Sequence, residues 1–233
     1  MINGFVYKEL KQNWGMFLSA VILGMYPLLN LWIGGNTLRD VESLNDWRMI
    51  EPLYVLICCS MYPVSLLKQD DRKIWCCFVS STSSGYKGYI LIKYVLLLIM
   101  SGISFTCTLI FDEVFRSVAA SKGVTGLAVM TNTFIFYLSI QLIFLSVNMP
   151  LNFRLGPVKG NTIMVILWLF IPVLLIILAI VASFEFSVFD LIMKLRNAVE
   201  SPVFLVVSVL TALLLYCISY FISCKAYVKR MNR

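Results

Sequence analysis

Residues 94–111 read YVLLLIMSGISFTCTLIF, closed by Lys93 on one side and Asp112 on the other. The run holds no Asp, Glu, Lys, Arg or His, and its length meets the roughly 17–25 apolar residues a helix needs to cross a bilayer. It does not alternate with period two, so a membrane strand is not its reading. A lipid-exposed backbone must close its hydrogen bonds within a helix or a barrel. Counting the helical lead-in, this span is drawn at 90–111. Five further apolar stretches flank it, at about 15–33, 50–67, 127–149, 161–184 and 203–223. The expected fold is therefore all-α: a polytopic membrane protein of six transmembrane helices forming a single domain over residues 1–233.

Composition agrees, with 60% hydrophobic residues and a mean hydropathy of +0.88, far above soluble domains. The first stretch is too long for a secretory signal core and no small-residue cleavage site follows it, so a retained helix is expected. Orientation follows from charge. The N-terminus, second loop, fourth loop and tail hold 2, 5, 2 and 4 Lys/Arg, against 2 in each of the other loops. Acids run the other way: only Glu9, Asp70 and Asp71 lie on the cation-rich side. The positive-inside tendency then puts both termini in the cytoplasm and the chain in the cell membrane. The excess of +7 is accounted for by anionic lipid, so no nucleic-acid partner is expected.

There is no histidine. The adjacent pairs Cys58-Cys59 and Cys76-Cys77 lack the spacing of a zinc knuckle, so no metal is expected. Ion-coupled carriers and intramembrane proteases keep ionisable groups at membrane depth, and these spans are read as having none. Thr131, Asn132, Thr133 and Gln141 in the fourth span read either as interhelix hydrogen-bonding groups or as a mildly polar pathway lining. Pro27, Pro63 and Pro172 would free carbonyls and kink their spans. Gly15, Ser19, Ala20 and Gly24, small residues at helical spacing, form a candidate dimer face. Tyr26 and Asn30 are candidate substrate-path residues.

Residues 1–14 place Ile2, Phe5, Val6, Leu10 and Trp14 along one side and Lys8, Lys11 and Gln12 on another, as an interface helix does. Asp70-Asp71 supply N-cap chemistry, followed by Ile74, Trp75, Phe78 and Val79 at helical spacing. A short amphipathic helix is expected at 70–79, read either as a lever between two spans or as a second interfacial helix. The Ser/Gly-rich segment 80–88 is expected to break it before the third span.

Here the chain resembles a family. Asp70-Asp71-Arg72-Lys73-Ile74-Trp75, followed by Lys93-Tyr94, looks like the first cytoplasmic loop of short six-helix permeases of type-2 ABC exporters. Pro150-Leu151-Asn152-Phe153-Arg154-Leu155-Gly156-Pro157-Val158-Lys159-Gly160 resembles that family's Pro-Leu…Phe-basic-x-Gly-x-x-Lys-Gly segment, and Lys8-Glu9-Leu10 is similar to its N-terminal interface helix. Where the family usually has Pro and, three residues on, Arg, this chain has Ser83 and Tyr86.

The resemblance, especially to Pmt-type phenol-soluble-modulin exporter permeases, implies one transmembrane subunit of an ATP-driven exporter of amphipathic or hydrophobic peptides. It also implies nucleotide-binding ABC ATPase subunits and a second permease, a copy or a paralogue, as partners. The chain has no phosphate-cradling Gly-x-x-x-x-Gly-Lys-Ser/Thr loop, so ATP and Mg are expected in the ATPase, with no cofactor and no catalytic residue here. Residues 70–79 then become a coupling helix, with Asp70, Asp71, Arg72, Ile74, Trp75 and Phe78, together with Arg154 and Lys159, meeting the ATPase. Two other classes stand beside this one. A lipid-acting membrane enzyme has poor acid/base material here. A non-transporting immunity or sensor subunit, which binds a peptide or recruits an ATPase, would share the topology.

Overall fold

The computed structural model describes residues 2–25, 41, 44–45, 48, 62–68, 70, 78–79, 81, 85–167, 170 and 199–231. Every regular element among them is helical. We label α1 Ile2–Gln12, α2 Trp14–Gly24, α3 Tyr62–Lys68, α4 Gly85–Ser121, α5 Thr131–Leu155 and α6 Pro202–Met231. Residues 157–167 are also helical. Among the described residues three helices, α4, α5 and α6, are long and apolar enough to cross a membrane. Of the other three expected spans, 15–25, 62–67 and 161–167 with 170 fall among the described residues, helical but for residue 25, and the rest lies outside them.

The helices overrun their apolar runs. Helix α4 has 37 residues, about 55 Å at 1.5 Å per residue, against a hydrocarbon core of about 30 Å. It starts at Gly85, before the expected 90 and inside the predicted break, and continues ten residues past Phe111. Helix α6 likewise continues beyond 223 to Met231, carrying Lys225, Lys229 and Arg230 in helical form. Helix α5 begins at Thr131, later than the expected 127, because 124–130 have no regular structure. Thr131, Asn132 and Thr133 consequently form its first turn and do not sit mid-span.

At its far end α5 runs through Pro150 to Leu155, where a loop was expected. The ring lacks an N–H, which frees the carbonyl four residues back. That carbonyl belongs to Ser146, and Ser219 Oγ on α6 donates to it at 2.6 Å. The proline's missing bond is thus replaced by a helix-to-helix bond. Tyr94 OH joins the same seam, 2.6 Å from Ser219 Oγ and 2.7 Å from Ser223 Oγ, while Tyr216 OH donates to the Tyr94 carbonyl at 2.7 Å. Ser139 on α5 meets Ser208 on α6 at 3.3 Å. These serines act as interhelix glue. Gln141 is buried, and its Nε2 has no hydrogen-bond partner among the described residues.

Around the seam, Ile90, Leu97 and Met100 of α4, Leu145, Met149 and Phe153 of α5, and Tyr216 and Tyr227 of α6 share one core with Leu66, Leu67 and Met16. Helix α1 and the C-terminal turns of α6 both pack at the Gly85 end of α4, through Glu9 to Lys93 and Tyr227 to Tyr86. The two described chain ends therefore lie at one end of the bundle.

Charge placement departs from the expectation of fully neutral spans. The stretch Tyr94–Phe111 is neutral, but the helix carrying it buries Lys93 and Asp112 at its two ends. They stand nineteen positions apart, about 28 Å of helix, close to the thickness of the hydrocarbon core. At the far end Arg48 clamps Asp112 with Nε and Nη2 at 2.8 and 2.9 Å, stands over the Phe115 ring and donates to Asn45 Oδ1 at 3.0 Å. Asn45 in turn accepts from Ala128 N–H at 3.3 Å, tying three segments together there. A bidentate clamp of this kind offsets the cost of taking both charges out of water.

Candidate functional site

The other end holds the denser arrangement. Lys93 is 1% exposed, and its ammonium has three donors and no acceptor. Each donor has a partner: Glu9 Oε2 at 2.7 Å and Leu66 O at 2.9 Å, and Asp70 Oδ2 at 2.5 Å. One side chain thus joins α1, the end of α3, the turn after it and α4. The acids are satisfied in turn. Asn13 Nδ2 donates to Glu9 at 3.0 Å, and Lys8 and Tyr89 OH donate to Asp70 at 2.5 and 3.1 Å. Two cations and two anions make the group neutral overall, the condition under which such burial is tolerable. Burial alone would raise the Asp70 carboxyl, but Lys93 and Lys8 outweigh it and hold the group below its ordinary value.

Tyr89 links this group to the second loop motif. Its ring packs edge-on against Phe153 at 6.5 Å and lies tilted against Tyr227 at 6.0 Å, and Phe153 meets Tyr227 edge-on at 5.8 Å. The two motif segments, distant in sequence, therefore converge through Asp70, Tyr89 and Phe153. Just beyond, Gly156 ends α5 with φ 90° and ψ 158°, a region nearly reserved for glycine. Helix then resumes at 157, and the backbone at Gly160 lies so close that a Cβ there would sit 2.8 Å from Asn152 Cα. This tight double bend presents Arg154 and Lys159 on the surface.

Of the expected coupling residues, Asp70 turns inward to Lys8 and Lys93, so its carboxylate is an internal anchor. Phe78 is 52% exposed, while its neighbour Val79 is fully buried. Ser81 Oγ donates to the Phe78 carbonyl at 2.8 Å. Asp71, Arg72, Ile74 and Trp75 lie outside the described residues, as do Tyr26 and Asn30.

On the candidate dimer face, Gly15 is open, with nothing within 4 Å of an added Cβ. Ser19 instead donates to the Met16 carbonyl and faces Tyr62 OH of α3 at 3.3 Å. Ala20 and Gly24 are helical. Pro63 is the second residue of α3, and Pro27 and Pro172 lie outside the described residues.

Nothing in the local sequence marks Lys93 or Glu9 as a junction residue. One sign was available: acids are rare on the cation-rich side, and two of the three present, Glu9 and Asp70, proved to be the partners of Lys93.

A family model described as "ABC-2 family transporter protein" matches residues 43–228. No curated protein and no solved structure matches the chain.

Proposed function

We propose, from the premise that this chain belongs to the ABC-2 transporter family and is a membrane permease subunit of an ABC transporter, that it exports amphipathic or hydrophobic peptides. The family implies an ABC ATPase partner; ATP and Mg would reside there. The permease itself is not catalytic. In this reading the end that bears both termini faces the cytoplasm, and the ATPase docks on the segment 70–79 and on the bend around Gly156. A second permease, copy or paralogue, completes the pathway.

The observation that carries this reading is the convergence of the two loop motifs on one buried ionic junction, with Phe78, Arg154 and Lys159 exposed around it. A docking surface must be accessible, yet rigidly joined to what it moves. Asp70 supplies the joint, since displacing the segment that follows it would pull on Lys93 of α4 and, through Lys8 and Glu9, on α1. The uncharged interior between Lys93 and Asp112 supports an apolar or amphipathic cargo, because an ion-coupled route would need titratable groups at depth.

Trp75 and Phe78 are the expected aromatic anchors in an ATPase groove. Truncation of such anchors commonly costs about 2 kcal/mol or more, or roughly 30-fold in affinity. We expect Trp75→Ala and Phe78→Ala to insert normally but to lose peptide-stimulated ATP hydrolysis in reconstituted vesicles. Undiminished stimulation would sink the coupling assignment. A tagged chain that never brings down a nucleotide-binding subunit in mild detergent would favour the non-transporting module.

A further inference from the structure

The first turn of α4 and the last turns of α6 enclose an open groove of about 790 Å³, lined by Tyr86, Lys87, Phe221, Cys224, Lys225, Val228 and Lys229. Its size falls in the roughly 300–1,000 Å³ range of small-ligand sites. Three of the seven lining residues are lysines and none is acidic. Lys87, Lys225 and Lys229 make no ion pair among the described residues, whereas nearby Lys93 has all three donors occupied. This is also the end of the bundle where cations exceed acids.

The order of residues along the groove is as telling as their charge. Phe221 belongs to the apolar run of α6 and is 65% exposed. Lys225 and Lys229 follow on the same helical face at intervals of four, with Lys87 across from them on α4. An occupant must therefore be anionic at the lysine end and apolar along Phe221 towards the hydrocarbon. Basic pockets between transmembrane helices at a membrane surface suit phospholipid head groups.

We propose that this groove is a specific binding site for one anionic phospholipid. Its phosphate would be held by Lys87, Lys225 and Lys229, and an acyl chain would run along Phe221. The site goes beyond the transport reading and would stand without it. A phosphate oxyanion is the chemistry the lysines read; the apolar wall is what selects a lipid over the free ion.

The test uses the full chain, purified and delipidated, with phosphatidylglycerol, phosphatidylcholine and inorganic phosphate as separate probes in native mass spectrometry. The expected result is retention of phosphatidylglycerol alone, with affinity at least about tenfold weaker in the triple variant Lys87→Gln/Lys225→Gln/Lys229→Gln. The charge-matched control Lys11→Gln/Lys68→Gln/Lys73→Gln, altered on the same cation-rich side of the sequence, should bind as the unaltered chain does. Equal losses in both variants would reduce the effect to general surface charge and overturn the site. Inorganic phosphate displacing the lipid at millimolar concentration would overturn the lipid assignment. So would a triple variant that keeps its lipid yet loses a copurifying ATPase, which would make the groove a protein contact. Independently of any variant, phosphatidylglycerol with a photoreactive acyl chain should label residues 221–228 of the unaltered chain, and labelling confined to other segments would refute the proposal.

Discussion

Lys93 is the side chain on which most of the described structure at its end depends. Replacing it with Met removes all three hydrogen bonds at once and leaves Glu9 and Asp70 as buried anions, Asp70 with Lys8 as its one remaining cation. Breaking a buried pair from one side costs about 3–5 kcal/mol, so Lys93→Met should lower the melting temperature in detergent sharply. Lys93→Met/Glu9→Gln should recover part of the loss, because one buried charge goes with its partner. Acid provides a second readout. Asp70 is held below its ordinary value near 3.8, so its pairing contributes fully above that value and disappears as pH falls through the lowered one. Stability measured from pH 7 down to pH 2 should show that acid limb, and Asp70→Asn should diminish it. None of this was legible residue by residue. Glu9 lies 84 positions from Lys93 and Lys8 lies 62 from Asp70, separations that leave no local pattern. What could be read was the scarcity of acids on that side.

Elements show a different balance between sequence and structure. Hydropathy located α4, α5 and α6 because desolvating a backbone in lipid demands a helix, but it reported only the part inside the hydrocarbon. Gly85–Tyr89, Asp112–Ser121 and Lys225–Met231 continue the same hydrogen-bond ladders where apolarity stops, so α4 and α6 are longer than their apolar runs. Pro150 misled for a related reason: the bond it forfeits is compensated from α6 by Ser219, a partner no local rule could supply. The bend after α5 offers the sharpest test at this scale. Gly156→Ala forces a side chain into a glycine-only conformation, costing about 1–3 kcal/mol. Gly160→Ala drives a methyl against Asn152 backbone, a clash that overpacking studies place at about 1–3 kcal/mol. Gly15→Ala, by contrast, enters open space in a helix and should stabilise by about 0.5–1 kcal/mol. Thermal melts of the three variants would separate these cases. A destabilised Gly15→Ala chain, or a weakened dimer in crosslinking, would show that a second copy does occupy that face.

For the whole molecule, the charge count and the packing agree that α1 and the end of α6 share one end, while the Arg48–Asp112 clamp holds the other. Topology reporters would check the direction: fluorescent protein fused after Arg233 should fluoresce in the cytoplasm, and alkaline phosphatase inserted near Gly123 should be active outside. With the two reporters exchanged both should be silent, and phosphatase activity at the terminus with fluorescence at the insertion would invert the assignment. The junction at Lys93 also bears on how the chain is made. Glu9 leaves the ribosome first and needs a residue 84 positions later. At about 5–20 residues per second it waits on the order of 4–17 s for its partner. Asp70, emerging before Lys93 too, also waits, though more briefly. Until then Glu9 has Lys8 beside it but not Lys93, so the ionic contact of α1 with α4 can form only after residue 93 has been synthesised. Nascent chains stalled before residue 93 should leave the N-terminus open to protease, and chains released beyond α4 should close it.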